Sequence, residues 1–355
     1  MEYATFSITG VGVFTNIFHL AVLNNKSMRK FTINIFLIGI AISDLIRMNC
    51  KMFHTATKFY QLYQSHWGSC VPRSSYLLMA IINFCSPTGH IFGAHLGIWF
   101  AVGMAVIRVL VVKYPLSSRS MNSLTKSKYG SRIVFFIVLC MLPFWIFDYF
   151  QVTVIPATLP SNCANFSVDS YQVQYILEET HIFDNERIYE INVFVQGLLF
   201  EFTPSIILPI ATLLLVVEKR RARKSTELMK SVSNQNSSDR STTLVIFMTI
   251  TFVIATAPRG FSYVGKFIIS QVGDDKPKLT LQSMIVGFII NFNSAIHFLL
   301  CYCLHNVFTI SECGERIVQK RSRKDLGCYS VLYKYEIKYF ERNWSLAGKY
   351  ISILL

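Results

Sequence analysis

Seven apolar stretches, each long enough to cross a lipid bilayer as a helix, leave this chain little freedom in what it can fold into. A helix needs about 20 mostly apolar residues to span the hydrocarbon core. Such spans are read at 6–24, 32–52, 78–112, 132–155, 191–217, 242–268 and 281–304. The third is longer than a crossing requires and is expected to begin outside the bilayer. The runs are continuous rather than alternating, which argues against a strand-built barrel. The expected fold is therefore an all-α membrane protein, a seven-transmembrane helix bundle with a short amphipathic eighth helix after residue 305. Residues 1–310 form one membrane domain and 311–355 a basic tail. No convincing internal repeat is visible, which weighs against most secondary transporters.

Composition agrees with the spans. Only 15% of the 355 residues are charged and 52% are hydrophobic, whereas a soluble domain carries about 25% charged residues. The net charge of +14 is not spread as a nucleic-acid surface. Lys26, Arg29 and Lys30 follow the first span, and Lys113, Arg119, Lys126, Lys128 and Arg132 the third. Lys219, Arg220, Arg221, Arg223 and Lys224 follow the fifth, and Lys320, Arg321, Arg323 and Lys324 the seventh. The loop over 156–190 instead carries Asp169, Glu178, Glu179, Asp184, Glu186 and Glu190. By the positive-inside rule the N-terminus lies outside and the C-terminus in the cytoplasm, and no nucleic-acid partner is expected. In that acidic loop, the Tyr/Gln/Val segment at 171–175 is expected to pair as a hairpin. With no basic region ahead of it, the first span is expected to serve as its own insertion signal.

No enzyme signature is present: there is no phosphate-binding glycine loop, no nucleophile elbow and no metal-ligand cysteine pattern. His90 and His95 share a span without an acidic partner at ligand spacing and are read as facing neighbouring helices. No metal and no cofactor are expected. What remains are polar and kinking residues within membrane-length segments: Asn16, Asp44, Arg108 to Pro115, Pro204, Pro258 and Asn293-Ser294. Ionisable groups in a bilayer interior cost at least a few kcal/mol each, so those present are usually functional or tightly paired. An amide at Asn16 and a carboxylate at Asp44 would form a polar knot between the first two helices. Alone, that knot could equally serve only to fix helix register.

Asn16 in the first helix, with Asn34, Leu37, Ile40, Ala41 and Asp44-Leu45 in the second, resembles the pattern of rhodopsin-like G-protein-coupled receptors. Arg108, followed by Lys113-Tyr114-Pro115-Leu116, resembles the inner end of their third helix. The segment from Leu96 to Leu116 is similar to the third helix of the nematode serpentine receptor class W, a branch related to FMRFamide-type neuropeptide receptors. Leu244 to Pro258 fits the sixth helix of that group. Phe252 and Pro258 keep its spacing, while Thr256 stands where most rhodopsin-like receptors carry Trp. Asn291 to Cys301 resembles the seventh-helix motif, with Asn293 and Ser294 retained, His297 in place of Asn, Phe298 in place of Pro and Cys301 in place of Tyr. Phe308 falls where an amphipathic eighth helix packs its aromatic ring.

The resemblance implies a heterotrimeric G protein as partner, contacted by Arg108 when the sixth helix swings out. It implies switch roles for Asn16, Asp44, Arg108, Tyr114, Pro115, Phe252, Pro258, Asn293, Ser294 and His297. Ile107 replaces the family's acidic neighbour of Arg108, so raised basal activity is expected. Family members bind sodium at the equivalent of Asp44; here Gly97 and the altered seventh helix remove supporting ligands, leaving Asp44 as a protonation switch instead. In the fifth helix, Pro204 with Thr212 matches the branch. Glu201, one turn above, and Thr256 are candidates for the ligand pocket, although a carboxylate near the interface could simply meet water. The family's usual bridge implies a disulfide from Cys163 to Cys70 or Cys85, with Cys70 favoured because Cys85 is close to the bilayer. Asn165-Phe166-Ser167 is a glycosylation acceptor on the outer face. The ligand implied is a small amidated peptide attracted by the acidic loop, with environmental small molecules as the alternative. The expected place is the plasma membrane, with lipid around the bundle.

Overall fold

The computed structural model describes residues 2–24, 31–67, 73–114, 127–160, 171–179, 191–192 and 194–227. It also describes short pieces of the sixth and seventh spans, at 246–247, 249–255, 257–258, 260–261, 288–289 and 292–293. Helix α1 covers Glu2–Leu23, α2 Thr32–Trp67, α3 Arg73–Lys113 and α4 Ser127–Phe150. Strands β1 (Val152–Pro160) and β2 (Tyr171–Glu179) follow, then helix α5 over Thr203–Glu227. Among the described residues, five helical stretches are long and apolar enough to cross a membrane. Hydrocarbon offers no partner for backbone N–H and C=O groups, so these segments close their hydrogen bonds internally as helices.

Two boundaries differ from the sequence expectation. Helix α2 runs on to Trp67 instead of ending near 52. Nothing between Lys51 and Trp67 breaks a helix, and the first glycine is Gly68. Helix α4 ends at Phe150, and residues 152–155 belong to β1 rather than to the fourth span. Val152, Thr153, Val154 and Ile155 are β-branched, and such side chains favour an extended, pleated surface over a helix. The expected hairpin forms: β1 and β2 are antiparallel, with Val152 opposite Glu179 and Pro160 opposite Tyr171. The hairpin packs on α3 and marks one end of the bundle; Arg108 marks the other.

The tightest packing joins α2 to α3, and glycines make it possible. The Phe100 ring of α3 lies where a side chain on Gly39 of α2 would be, 3.0 Å from that position. In return the Phe36 ring of α2 fills the place of a Gly103 side chain at 2.7 Å. Farther along, a methyl group on Gly93 would lie 2.7 Å from the Ser43 carbonyl oxygen and 2.9 Å from the Arg47 nitrogen. Small residues that let backbones approach are how membrane helices gain dispersion contact where lipid tails already match the apolar surface. Around this seam, Phe36, Ile40, Leu96, Met104, Leu208, Leu215 and Phe252 form one buried cluster. Helix α4 is peripheral, and its Phe135 and Phe136 lie bare on the outside, as lipid-facing residues do.

A wide turn precedes α5. Residues Gly197–Phe202 form a π-helical turn in which the Thr203 N–H bonds to the Leu198 carbonyl. Pro204 has no N–H to donate, so the ladder must shift there, and an i→i+5 turn absorbs the mismatch. Side chains complete it: Thr203 Oγ1 donates to Leu198 O at 2.7 Å and Ser205 Oγ to Glu201 O at 2.6 Å.

Candidate functional site

Three groups of polar residues interrupt the apolar bundle. The first lies on α1 and α2. Asn16 is fully buried; its Nδ2 donates to Gly12 O at 2.9 Å and lies 3.9 Å from Met48 Sδ. Asp44, one turn along α2 from Met48, is buried as well and faces Arg47, whose Nη2 is 3.6 Å from Asp44 Oδ1. Arg47 is among the largest fully buried side chains of the molecule. Gly93 of α3 creates the space it occupies, and His90 Nδ1 lies 3.2 Å from its carbonyl oxygen. An i,i+3 spacing puts Asp44 and Arg47 on one helix face, so the sequence carried this pair openly.

The second group joins α3, α4 and the turn before α5. Glu201 is 1% exposed, so it does not meet water at the interface. His95 Nε2 lies 3.3 Å from its Oε1, an ion-pair contact that supplies the acidic partner sequence spacing had not revealed for His95. Asp148 Oδ1 accepts from Gln196 Nε2 at 2.6 Å and from Asn192 Nδ2 at 3.3 Å. His95, Asp148 and Gln196 line one cleft with the rings of Phe92, Phe144, Trp145 and Phe200. Phe92 stacks on Trp145 at 4.8 Å and Phe144 meets Phe200 edge-on at 4.9 Å. The cleft holds about 240 Å³ of empty space, counting its open mouth. Its enclosed part is only about 10 Å³, room for one water rather than for a whole ligand, whose sites run to roughly 300–1,000 Å³. Asp148 was overlooked although it is a charge inside an expected span, the ordinary signal of a functional residue.

The sixth span touches this group from its backbone side. A methyl group on Gly260 would lie 3.0 Å from the Glu201 carbonyl carbon and oxygen. Phe261 meets Phe202 edge-on at 5.8 Å. Phe252 is buried in the main cluster, Asn293 is buried, and Pro258 is exposed. Thr256, Ser294, His297, Pro115 and the expected eighth helix with Phe308 lie outside the described residues. So do Cys70, Cys163 and the acceptor Asn165. Of the two partners weighed for Cys163, Cys85 is an exposed free thiol within α3.

The third group is the Arg108 end of α3. Ile107 turns into the core, 6% exposed, where a carboxylate would otherwise stand. Arg108 is half-buried, and among the described residues it makes no hydrogen bond or ion pair. Tyr114 lies past the helix end, largely exposed, with Lys113 Nζ over its ring at 5.3 Å.

A bundle of membrane-length helices with a buried carboxylate on the second and an arginine closing the third has a counterpart among known families. Residues 3–308 match the family described as serpentine type 7TM GPCR chemoreceptor Srw. The chain belongs to it. It is therefore a multi-pass, seven-helix membrane protein of a receptor family, for which a G protein and an extracellular ligand are the general partners. No curated protein matches the chain.

Proposed function

We propose that this chain is a plasma-membrane receptor with its hairpin end outside, and that it passes ligand binding to a heterotrimeric G protein at the Arg108 end. The observation that carries this reading is Arg108 itself. It is a half-buried guanidinium that closes a membrane helix, with Ile107 beside it and no ion pair among the described residues. Such a cation is available to an incoming partner without first breaking a salt bridge. A ligand that binds the active arrangement better than the resting one shifts the population toward it. The route inward runs through Glu201: His95 holds its carboxylate, the π-turn carries its backbone, and Gly260 of the sixth span leans on that same backbone.

Small-molecule chemoreception is the first reading for the ligand, in keeping with the chemoreceptor family to which the chain belongs. An amidated peptide is the second reading, favoured by the hairpin, whose edge and Glu178 can meet an extended basic chain. The test is a second-messenger assay with surface-verified receptor and a promiscuous G protein, challenged with a small-molecule library and an amidated-peptide library. A response lost in Arg108→Ala at equal surface level supports the proposal, and the library that gives it decides the ligand class. Responses unchanged in Arg108→Ala contradict it. Sodium is not needed at Asp44 in this reading, because Arg47 already supplies a cation there.

A further inference from the structure

Beyond Arg47, helix α2 carries Lys51, His54 and Lys58. Spacings of four, three and four residues keep these four cationic or titratable side chains within an arc of about 60° on one helix face. From Lys51 to Lys58 the stripe rises roughly 10 Å toward the hairpin end. Helix α1 and helix α3 flank it. Lys58 Nζ pairs with Glu2 of α1 at 3.7 Å, and both are about half-exposed. His54 bonds to Asn83 of α3, which also accepts from Thr57 Oγ1 at 3.0 Å. His54 Nδ1 is buried and has no hydrogen-bond partner among the described residues. Lys51 is half-buried, with Lys58 and Glu2 as its charged neighbours. It makes no hydrogen bond or ion pair among the described residues.

The chain does not answer these charges from within its spans. Only three carboxylates lie in the seven expected spans: Asp44, Asp148 and Glu201. Each is already engaged, Asp44 by Arg47, Asp148 by Gln196 and Asn192, and Glu201 by His95. Residues 242–268 and 281–304 contain no Asp or Glu at all. Lys51 and Lys58 bring two positive charges and Glu2 removes one, so with His54 neutral one positive charge remains. Cations in membrane helices that lack a dedicated partner mark ligand or ion sites.

We propose that Lys51 and His54 bind a single negative group of the ligand, a carboxylate, with Lys58 held by Glu2 as the outer rim of the site. With His54 neutral, the carboxylate accepts from the Lys51 ammonium and its one negative charge balances the stripe; protonated, His54 keeps its bond to Asn83 and gains a donor at Nδ1 for the second oxygen. This inference rests on the receptor reading and narrows its ligand: an amidated C-terminus has no carboxylate, so a peptide ligand would have to carry an Asp or Glu side chain.

The experiment is a binding measurement that needs no G protein, so its failure is separate from failure of the Arg108 assay. Full-length receptor in lipid nanodiscs is melted with a panel of short- to medium-chain monocarboxylates, each against its primary amide at matched ionic strength. A second arm uses short peptides with one acidic side chain. The expected result is a concentration-dependent rise in melting temperature with at least one acid and none with its amide. Lys51→Met should weaken that acid at least about tenfold, the loss of one charge-assisted hydrogen bond, and Lys51→Arg should retain part of it. Without ligand, Lys51→Met should melt no lower than wild type, because it removes a half-buried charge that has no partner. Whether free acids or acidic peptides stabilise decides the source of the carboxylate. The proposal is overturned if no acid stabilises the wild type, or if the amides do so equally. It is also overturned if Lys51→Met binds as wild type does, or melts lower on its own.

Discussion

The region around Asp44 and Glu201 and the flanking region of Lys51 and Arg108 treat charge differently. Midway along α2 and α3, Asp44 faces Arg47 and Glu201 faces His95, and these side chains are all nearly buried. One turn on from Arg47, Lys51 is half-buried, as is Arg108 near the end of α3, and neither makes an ion pair among the described residues. A buried charge with its partner in place belongs to the packing, and removing either half is costly. A charge without one is open to an outside partner. The difference assigns structure to the paired charges and recognition to Lys51 and Arg108, and substitutions can break or sharpen it.

The largest effect is expected from Asp44→Asn, which leaves the Arg47 guanidinium buried without its carboxylate. Breaking a buried pair from one side costs about 3–5 kcal/mol, so surface expression should collapse. Asp44→Asn combined with Arg47→Met should recover much of it; if the double variant is as poor as the single, the pair is not what matters. Gly93→Ala comes next. Its methyl group would press on the Ser43 carbonyl and the Arg47 nitrogen, both backbone atoms, so α2 and α3 must part. Overpacking of this kind costs about 1–3 kcal/mol, readable as a lower melting temperature, whereas Gly10→Ala, with open space around it, should change little.

Glu201 offers a finer distinction. Glu201→Ala removes the carboxylate that faces the buried His95 ring, a loss of about 1–3 kcal/mol. Glu201→Gln keeps an oxygen for that contact and should melt within about 1 kcal/mol of wild type. If the two variants melt alike, the His95 contact contributes nothing to the fold. The smallest effect concerns sodium. With Arg47 beside Asp44, replacing sodium by choline should leave the melting temperature unchanged, and a sodium-specific rise would show that the carboxylate still takes an outside cation.

Much of this was legible in the sequence, for reasons that differ from one element to another. The spans were readable because continuous apolar runs admit only helices in lipid, and the hairpin because alternating strand-forming residues follow Pro160. The end of α2 was not: the run of polar residues after 52 looks like a loop but contains no helix breaker. The Asp44–Arg47 pair follows from spacing along one helix. The His95–Glu201 pair does not, since it depends on how α3 and the π-turn rotate toward each other, and no spacing within a chain fixes that. Asp148 lies inside the expected fourth span and was legible as a charge in an apolar segment, but its partners Gln196 and Asn192 come from a distant part of the chain.

The most direct test of the account is the basal signalling of wild type and Arg108→Ala, read with a promiscuous G protein alongside the melting temperature of each. The account predicts wild-type signalling above vector-transfected cells, because Ile107 gives Arg108 no acidic restraint. It predicts loss of that signal in Arg108→Ala at equal surface level and with an unchanged melting temperature. Wild type no more active than vector, or an Arg108→Ala receptor that melts several degrees lower while still signalling, would contradict it.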